Sequence, residues 1–213
     1  MKKIIIKKII RSIISYIAPI IYRPRIVRGV SWVKNCFIMC AYEQRFKRIG
    51  KNCYFGKDFV LHDEDCIEIG DNFRAGNHLT LEAWKEYDGI KYSPNISIGN
   101  NVIFTDFVQI SCVDKIVIGN NVLLGHAVYI SDNNHGKIDF ETLSIPPTKR
   151  ELYSKGPVKI GDNVWVGRHV SILPGVTIGD NSIIGANSVV TKCIPENSVA
   201  AGCPAKIIKQ MKN

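Results

Sequence analysis

The sequence predicts an all-β solenoid of about six three-sided coils, with helices before it, a long extruded loop and a short helix at the C-terminal end. Three observations carry this. First, apolar residues open tandem six-residue units: Ile49, Phe55 and Leu61, then Ile69, Ala75 and Leu81, Ile98, Phe104 and Ile110, Ile118, Leu124 and Ile130, Ile160, Val166 and Ile172, and Ile178, Ile184 and Val190. A fixed short period of this kind is the mark of a β-solenoid. Second, these positions fall into six sets of three, with steps of six residues inside each set and of 8, 17, 8, 30 and 6 between sets. Three flat faces make a triangular prism, so each set is one coil and every insertion leaves from the same corner. Third, Gly often follows the first residue of a unit, and small or β-branched residues such as Val102, Val122, Val164 and Ser182 sit four positions on. Glycine suits tight corners, and β-branched side chains suit short strands.

The 213 residues are enough for one domain with an appendage. The net charge of +9 is unevenly spread: through Lys51 there are 13 Lys/Arg against a single acid, Glu43, while the rest of the chain carries −3. This argues against a nucleic-acid-binding repeat and points to an anionic surface, with a membrane as the first candidate. The seven cysteines (36, 40, 53, 66, 112, 193 and 203) include no CxxC pair, and several fall on inward repeat positions. They read as small hydrophobes in a reducing, cytoplasmic setting rather than as zinc ligands.

Taken in order, residues 1–48 form a basic helical segment. Lys3, Lys7 and Arg11 recur along one helix face, with isoleucines at 5, 6, 9, 10, 13, 14 and 17 covering the remainder. The longest charge-free run, Ser12–Tyr22, contains Pro19 and is far short of the roughly 20 residues a bilayer requires. No small-residue cleavage site follows, which argues against a signal peptide. Two readings stand for residues 2–22: peripheral association with an anionic leaflet, or packing on a neighbouring subunit or the solenoid end. Residues 31–48 read as a second helix, with Trp32, Cys36, Phe37, Cys40 and Phe46 capping the first coil. The coils occupy 49–192, and residues 193–213 supply a Pro/Gly-rich turn and a final basic helix.

Two insertions at the common corner are long, Glu82–Asn95 and Ser131–Lys159. Because they share one prism edge two coils apart, Trp84 and Tyr87 of the first are placed to frame a site beside His135 of the second. Loops of this length inside a compact repeat are usually functional or disordered.

The tandem hexapeptides together with DNNHG, GPVKIGDNVWVG, ILPGVTIG, IGANSVVTK and AAGCPAKII resemble the hexapeptide-repeat (left-handed β-helix) O-acetyltransferases. The likeness runs from about Ile49 to Lys209. It is to enzymes that acetylate sugars of capsular polysaccharide or O-antigen, with the maltose and galactoside acetyltransferases as relatives. The resemblance implies a left-handed coil, a cytoplasmic homotrimer with active sites between subunits, acetyl-CoA as co-substrate along the later coils, and a sugar acceptor near the long loop. It implies no metal and no nucleic acid. Relatives of this subgroup often read Asp-His-Asn-His-Gly, whereas this chain has Asn133 at the first histidine.

By the same resemblance, His135 is the catalytic histidine. A sugar hydroxyl needs a base to remove its proton as it attacks a thioester, and a neutral imidazole can accept it. Asp106 and Asp114 match acceptor-contacting positions, and Trp84 joins them from the neighbouring loop. Cofactor contacts fall on Trp165, Arg168, Gly185, Ala186, Thr191 and Lys192, with Lys206 and Lys209 screening the nucleotide phosphates where relatives carry Arg. His126 is expected as a surface or supporting residue. Competing readings are an acetyltransferase of the same fold acting on serine or a xenobiotic, a metal-dependent carbonic anhydrase on the same coil, and a non-catalytic scaffold.

Overall fold

The repeat positions meet one another in three parallel sheets that the chain visits in turn. The computed structural model describes residues 2–211, apart from the side chains of residues 2–5 and 28. The first sheet takes its strands from Arg48–Ile49, Ile67–Ile69, Asn95–Ile98, Lys115–Ile118, Val158–Ile160 and Thr177–Ile178. The third takes Val60–His62, Thr80–Ala83, Gln109–Cys112, Tyr129–Ser131, Ser171–Ile172 and Val189–Val190. Between them runs the second, from Arg74–Ala75 through Ile103–Phe104, Leu123–Leu124, Trp165–Val166 and Ile183–Ile184 to Ser198–Gly202. The register is the one the spacing predicts: Ile49 pairs with Ile69, Ile69 with Ile98, Ile98 with Ile118, Ile118 with Ile160 and Ile160 with Ile178.

Side chains alternate across a strand, so each coil sends its repeat residue inward. Ile69, Ile98, Ile118, Leu81, Ile110, Ile130, Phe104 and Leu124 are all buried. Each such side chain contributes about 1.5–3 kcal/mol by leaving water. The insertions disturb none of this, because they leave after the strands of the third sheet and return before the next strand of the first.

What fixes the corner between the first and second sheets is a column of asparagines. Asn52, Asn72, Asn101, Asn121, Asn163, Asn181 and Asn197 all lie in the left-handed region, with φ from 55° to 58°. Asparagine tolerates that conformation better than other non-glycine residues. Their amides are also linked coil to coil, from Asn52 Nδ2 on Asn72 Oδ1 at 3.2 Å through to Asn181 Nδ2 on Asn197 Oδ1 at 3.1 Å. One residue earlier, Asp71, Asn100, Asn120, Asp162 and Asp180 each accept the backbone N–H of the coil before, at 2.6–2.9 Å. The recurring IGDN and IGNN tetrapeptides are therefore corner chemistry. The glycine that precedes them belongs to it as well: a Cβ on Gly99 would lie 2.6 Å from the Gly119 carbonyl oxygen. Gly99→Ala must push two coils apart, and urea unfolding is expected to show a loss of about 1–3 kcal/mol.

The N-terminal helices, α1 (Lys2–Ile21) and α2 (Pro24–Tyr42), belong to a separate unit, Met1–Tyr42, distinct from Glu43–Asn213. The second helix starts and ends earlier than the sequence suggests. Pro24 explains the start, since a proline is tolerated at the first helical position, where its missing N–H costs nothing. Of the five residues expected to cap the first coil, only Phe46 is buried; it lies beyond the helix and its ring centroid is 6.1 Å from that of Phe55. Trp32 and Phe37 remain exposed. Within the Glu43–Asn213 unit, Phe46 packs against Phe55 of the first coil. Among the described residues no helix is long and apolar enough to cross a membrane.

The C-terminal expectation also needs correction. Residues 193–202 continue the coil, with Ile194 bridging to Ile178 and Val199 and Ala200 pairing with Ile183 and Ile184. Ala205–Gln210 is then a strand, not a helix, and runs antiparallel along Ser198–Gly202. The free edge of the second sheet has to be covered, and tertiary pairing outweighs the weak helical preference of a short KIIK run.

Candidate active site

A cavity of about 340 Å³ opens on the outer side of the third sheet, at the corner from which both long loops leave. Its floor comes from outward-facing sheet positions: Glu82 pairs with Ser111, and Gln109 with Tyr129. Trp84 and Tyr87 line it from the first loop; Asn133, Asn134, His135 and Leu152 line it from the second. The shared edge inferred from the repeat spacing thus brings Trp84, Tyr87 and His135 together.

His135 stands on a short strand, Asn133–His135, that pairs antiparallel with Leu152–Ser154, with His135 opposite Leu152. Its ring meets the Tyr87 ring edge to face, with centroids 5.4 Å apart. The next residue, Gly136, has φ +86°, and a Cβ there would run into Thr142 Cγ2. The turn after the histidine therefore demands glycine. The two loops hold each other at several points. Leu152 N donates to Tyr92 Oη at 2.9 Å, Tyr87 Oη donates to the Thr148 carbonyl at 3.3 Å, and Lys149 Nζ lies 3.5 Å from Asp88 Oδ1. Trp84 in turn packs against His62, its ring tilted by 31° with centroids 4.5 Å apart, and meets Tyr87 at 90°.

The root of the long loop is tied down by a residue that motif reading passed over. Asp132 is fully buried, and its carboxylate accepts the backbone N–H groups of Val113 and Asp114, both at 2.9 Å. It also accepts from Cys112 Sγ at 3.2 Å and from Asn133 Nδ2 at 3.1 Å. Asn133 Nδ2 reaches the Ser111 carbonyl at 3.2 Å as well. The signal was the first letter of DNNHG: an acid two residues after the inward Ile130 falls on the inward side of its strand, in line with Cys112, and has no solvent to face. Burial, reinforced by the Asp132 carboxylate, pushes the Cys112 thiol well above its ordinary range. Since the thiolate is the reactive form, Cys112 is expected to resist iodoacetamide in the folded protein while the exposed Cys40, Cys193 and Cys203 are alkylated, as read by mass spectrometry with and without denaturant.

The other sequence-derived positions lie elsewhere. Asp106 is not among the cavity-lining residues; it sits at the corner between the second and third sheets, where its Oδ1 accepts the Asn77 N–H at 2.7 Å. Asp114 flanks the loop root, with Ser154 Oγ 3.5 Å from its Oδ2. Trp165 is half exposed on the outer face of the second sheet, paired with Leu123 and Ile183. Arg168, Gly185 and Ala186 lie on adjacent turns of the same corner as Asp106: a Cβ on Gly167 would come 2.6 Å from Ala186 N, and one on Gly185 would come 2.7 Å from Ala201 Cβ. Lys206 pairs with Ala201 and Lys209 with Val199, so both extend this group along the sheet edge. Thr191 and Lys192 follow the last strand of the third sheet, at its opposite edge, and are exposed.

His126 shares the Asp106 corner, its ring 5.2 Å from Phe107 and 5.4 Å from His169, and its Nδ1 is buried with no partner among the described residues. Here Phe107, Ala127 and His169 hold positive φ where the opposite corner uses asparagine throughout. Such strain in non-glycine residues is often stored near functional surfaces.

Comparison with known proteins matches these elements to a family. The model for the bacterial transferase hexapeptide (six repeats) matches residues 157–192. WbbJ of Escherichia coli (strain K12), named for lipopolysaccharide biosynthesis O-acetyl transfer, is 40% identical over 154 residues, covering 70% of this chain and 74% of that protein. The galactoside O-acetyltransferase of the same strain is 43% identical over 129 residues, 57% of each chain. Among solved structures, a hexapeptide-repeat acetyltransferase of Vibrio cholerae complexed with acetyl-CoA aligns with TM-score 0.53 and 25% identity over 82% of this chain and 76% of that one. A galactoside acetyltransferase in complex with coenzyme A aligns with TM-score 0.53 and 34% identity over 81% and 69%. With two fifths of its aligned residues shared across most of one such enzyme, this chain belongs to the acetyl-CoA-dependent hexapeptide-repeat O-acetyltransferases.

Proposed function

We propose that the protein transfers the acetyl group of acetyl-CoA to a hydroxyl of a saccharide in the biosynthesis of a surface polysaccharide, capsule or O-antigen, with His135 as the base. The observation that carries this reading is the cavity itself: one imidazole at its rim, aromatic walls from Trp84 and Tyr87, and hydrogen-bonding groups from Glu82, Gln109, Ser111, Asn133 and Asn134. Aromatic faces beside polar groups suit a sugar ring, whose C–H face packs on the rings while its hydroxyls bond around it.

His135 takes the proton of the acceptor hydroxyl as that oxygen attacks the thioester carbonyl, and returns it to the departing thiol. Backbone N–H groups at the loop or a coil corner supply hydrogen bonds to the developing oxyanion. Acetyl-CoA fits the group on the last coils by its chemistry. Gly185 and Ala186 leave the backbone accessible, Trp165 offers an exposed apolar wall, and Lys192, Lys206 and Lys209 are exposed cations suited to phosphates. Thr191 lies beside Lys192, and Arg168 beside the glycine turn. Asp106 belongs to the coil corner in this reading, and Asp114 to the loop root.

We infer a left-handed coil and a homotrimer. In one chain Arg168, Gly185 and Ala186 lie at the corner between the second and third sheets, and His135 lies at the other edge of the third, the edge that Thr191 and Lys192 also follow. A neighbouring copy would bring one chain's histidine to another's cofactor groove. Loop residues Ile138 and Phe140, about nine-tenths exposed, supply apolar surface for that neighbour. A cytoplasmic setting fits a co-substrate made there.

The test is thiol release from acetyl-CoA against a panel of free sugars, lipid-linked saccharides and finished polymer, with products read by mass spectrometry. Acetyl ester on a saccharide hydroxyl is expected. Turnover with serine or a xenobiotic amine or alcohol, and with no saccharide, would replace this reading.

A further inference from the structure

The residues before the coil carry a second, independent set of observations. Residues 1–42 contain nine Lys/Arg and no acid. Helix α1 runs for 20 residues, and its stripe Ile6, Ile9, Ile13, Ile17 and Ile20 is 46–55% exposed throughout. The spacing of three and four residues puts these five on one face, while Lys7, Lys8, Arg11, Ser12 and Ser15 fall on the other. Helix α2 repeats the design: Ile26, Val30, Val33 and Phe37 form a stripe exposed over its whole length, and Val30, Val33, Lys34 and Phe37 border an apolar cleft of about 520 Å³. Tyr16, Tyr22 and Trp32 are each more than two thirds exposed.

From this we propose that the unit made of α1 and α2 is a docking element for an anionic lipid bilayer, with both helices lying in the interface rather than crossing it. The charge and the apolar stripes have to be satisfied by one partner. Nucleic acid would pair with the cations but leave two isoleucine- and valine-rich stripes in water. A second copy would cover the stripes but would set nine cations against nine. An anionic leaflet takes both: the stripes enter the acyl boundary, each cation near the surface is drawn to the lipid charge, and tyrosine and tryptophan prefer the headgroup level. Neither helix has the apolar length to span. The inference rests on these helices alone and stands whatever the acceptor proves to be.

Flotation of the full-length protein with vesicles of phosphatidylcholine, alone or with about a quarter phosphatidylglycerol, tests it. Recovery with the anionic vesicles is expected to exceed that with the neutral ones by about tenfold, and to drop at about 0.5 M salt, where the Debye length shrinks to a few ångströms. Ile9→Asp with Ile13→Asp should lower anionic recovery at least about tenfold, at an unchanged melting temperature of the coil domain. Lys7→Glu with Arg11→Glu, which leaves the stripe and the helix intact, should abolish the preference for anionic over neutral vesicles. Absence of wild-type flotation overturns the proposal. So does undiminished binding by the isoleucine pair, or a change in the mass of the assembly by that pair without any vesicle binding.

Discussion

Replacing His135 by alanine is expected to lower acetyl transfer by about 10²–10⁴-fold, the usual worth of a positioned general base. Acetyl-CoA should still bind, because the residues proposed to hold it, Trp165, Gly185, Ala186, Lys206 and Lys209, lie outside the cavity that His135 lines. The loss should therefore fall on kcat, with KM for acetyl-CoA held within about threefold, as expected for an interaction made in the transition state. His135 is exposed and lies on a two-strand ribbon, so its removal opens no core cavity, and the melting temperature should stay near that of the wild type. Thiol release and product mass together decide the matter. Turnover within about threefold of the wild type would remove His135 as the base. Phe107, His126 and His169, at the neighbouring corner, would then be the next place to look.

The coil was legible because its signal is redundant. Six sets of three apolar residues fix the register of three sheets at once, and a slip of one residue anywhere would turn a buried Ile into solvent. The same spacing placed Trp84, Tyr87 and His135 on one edge without any knowledge of side-chain contacts. What escaped were polar residues, because a polar side chain at a corner has two choices that sequence does not separate. Asp106 matches an acceptor-contacting position, and its Oδ1 also accepts the Asn77 N–H of the coil before, a structural role that its motif does not reveal. The asparagines of the IGDN and IGNN repeats carry no apolar signal, and they form a hydrogen-bonded column along the coils. Ala205–Gln210 escaped for another reason. Six residues of mixed Ile and Lys fit either period, and only the unpaired edge of Ser198–Gly202 decides for a strand.

Asp132 gives the second large effect, and it separates holding the loop from aiming the histidine. Asp132→Ala removes the acceptor for the Val113 N–H, which is buried, and for the Asp114 N–H, which is partly so. Each buried donor left unpaired costs about 1–3 kcal/mol, so a loss on the order of 3 kcal/mol is expected. For a chain of this length that is roughly 6–12 °C in melting temperature. Asp132→Asn keeps one oxygen for one of the two N–H groups but turns an amide NH₂ toward the other, so it should fall between the wild type and alanine. Asn133 is held partly through Asp132 and sits two residues before His135 on the same strand. Measured well below its melting temperature, the alanine variant should therefore show a kcat reduced by at least about tenfold with KM for acetyl-CoA unchanged. The asparagine variant should recover part of it. A variant that melts early but turns over at the wild-type rate would confine Asp132 to stability, and the aim of His135 would then rest on its pairing with Leu152 and its contact with Tyr87.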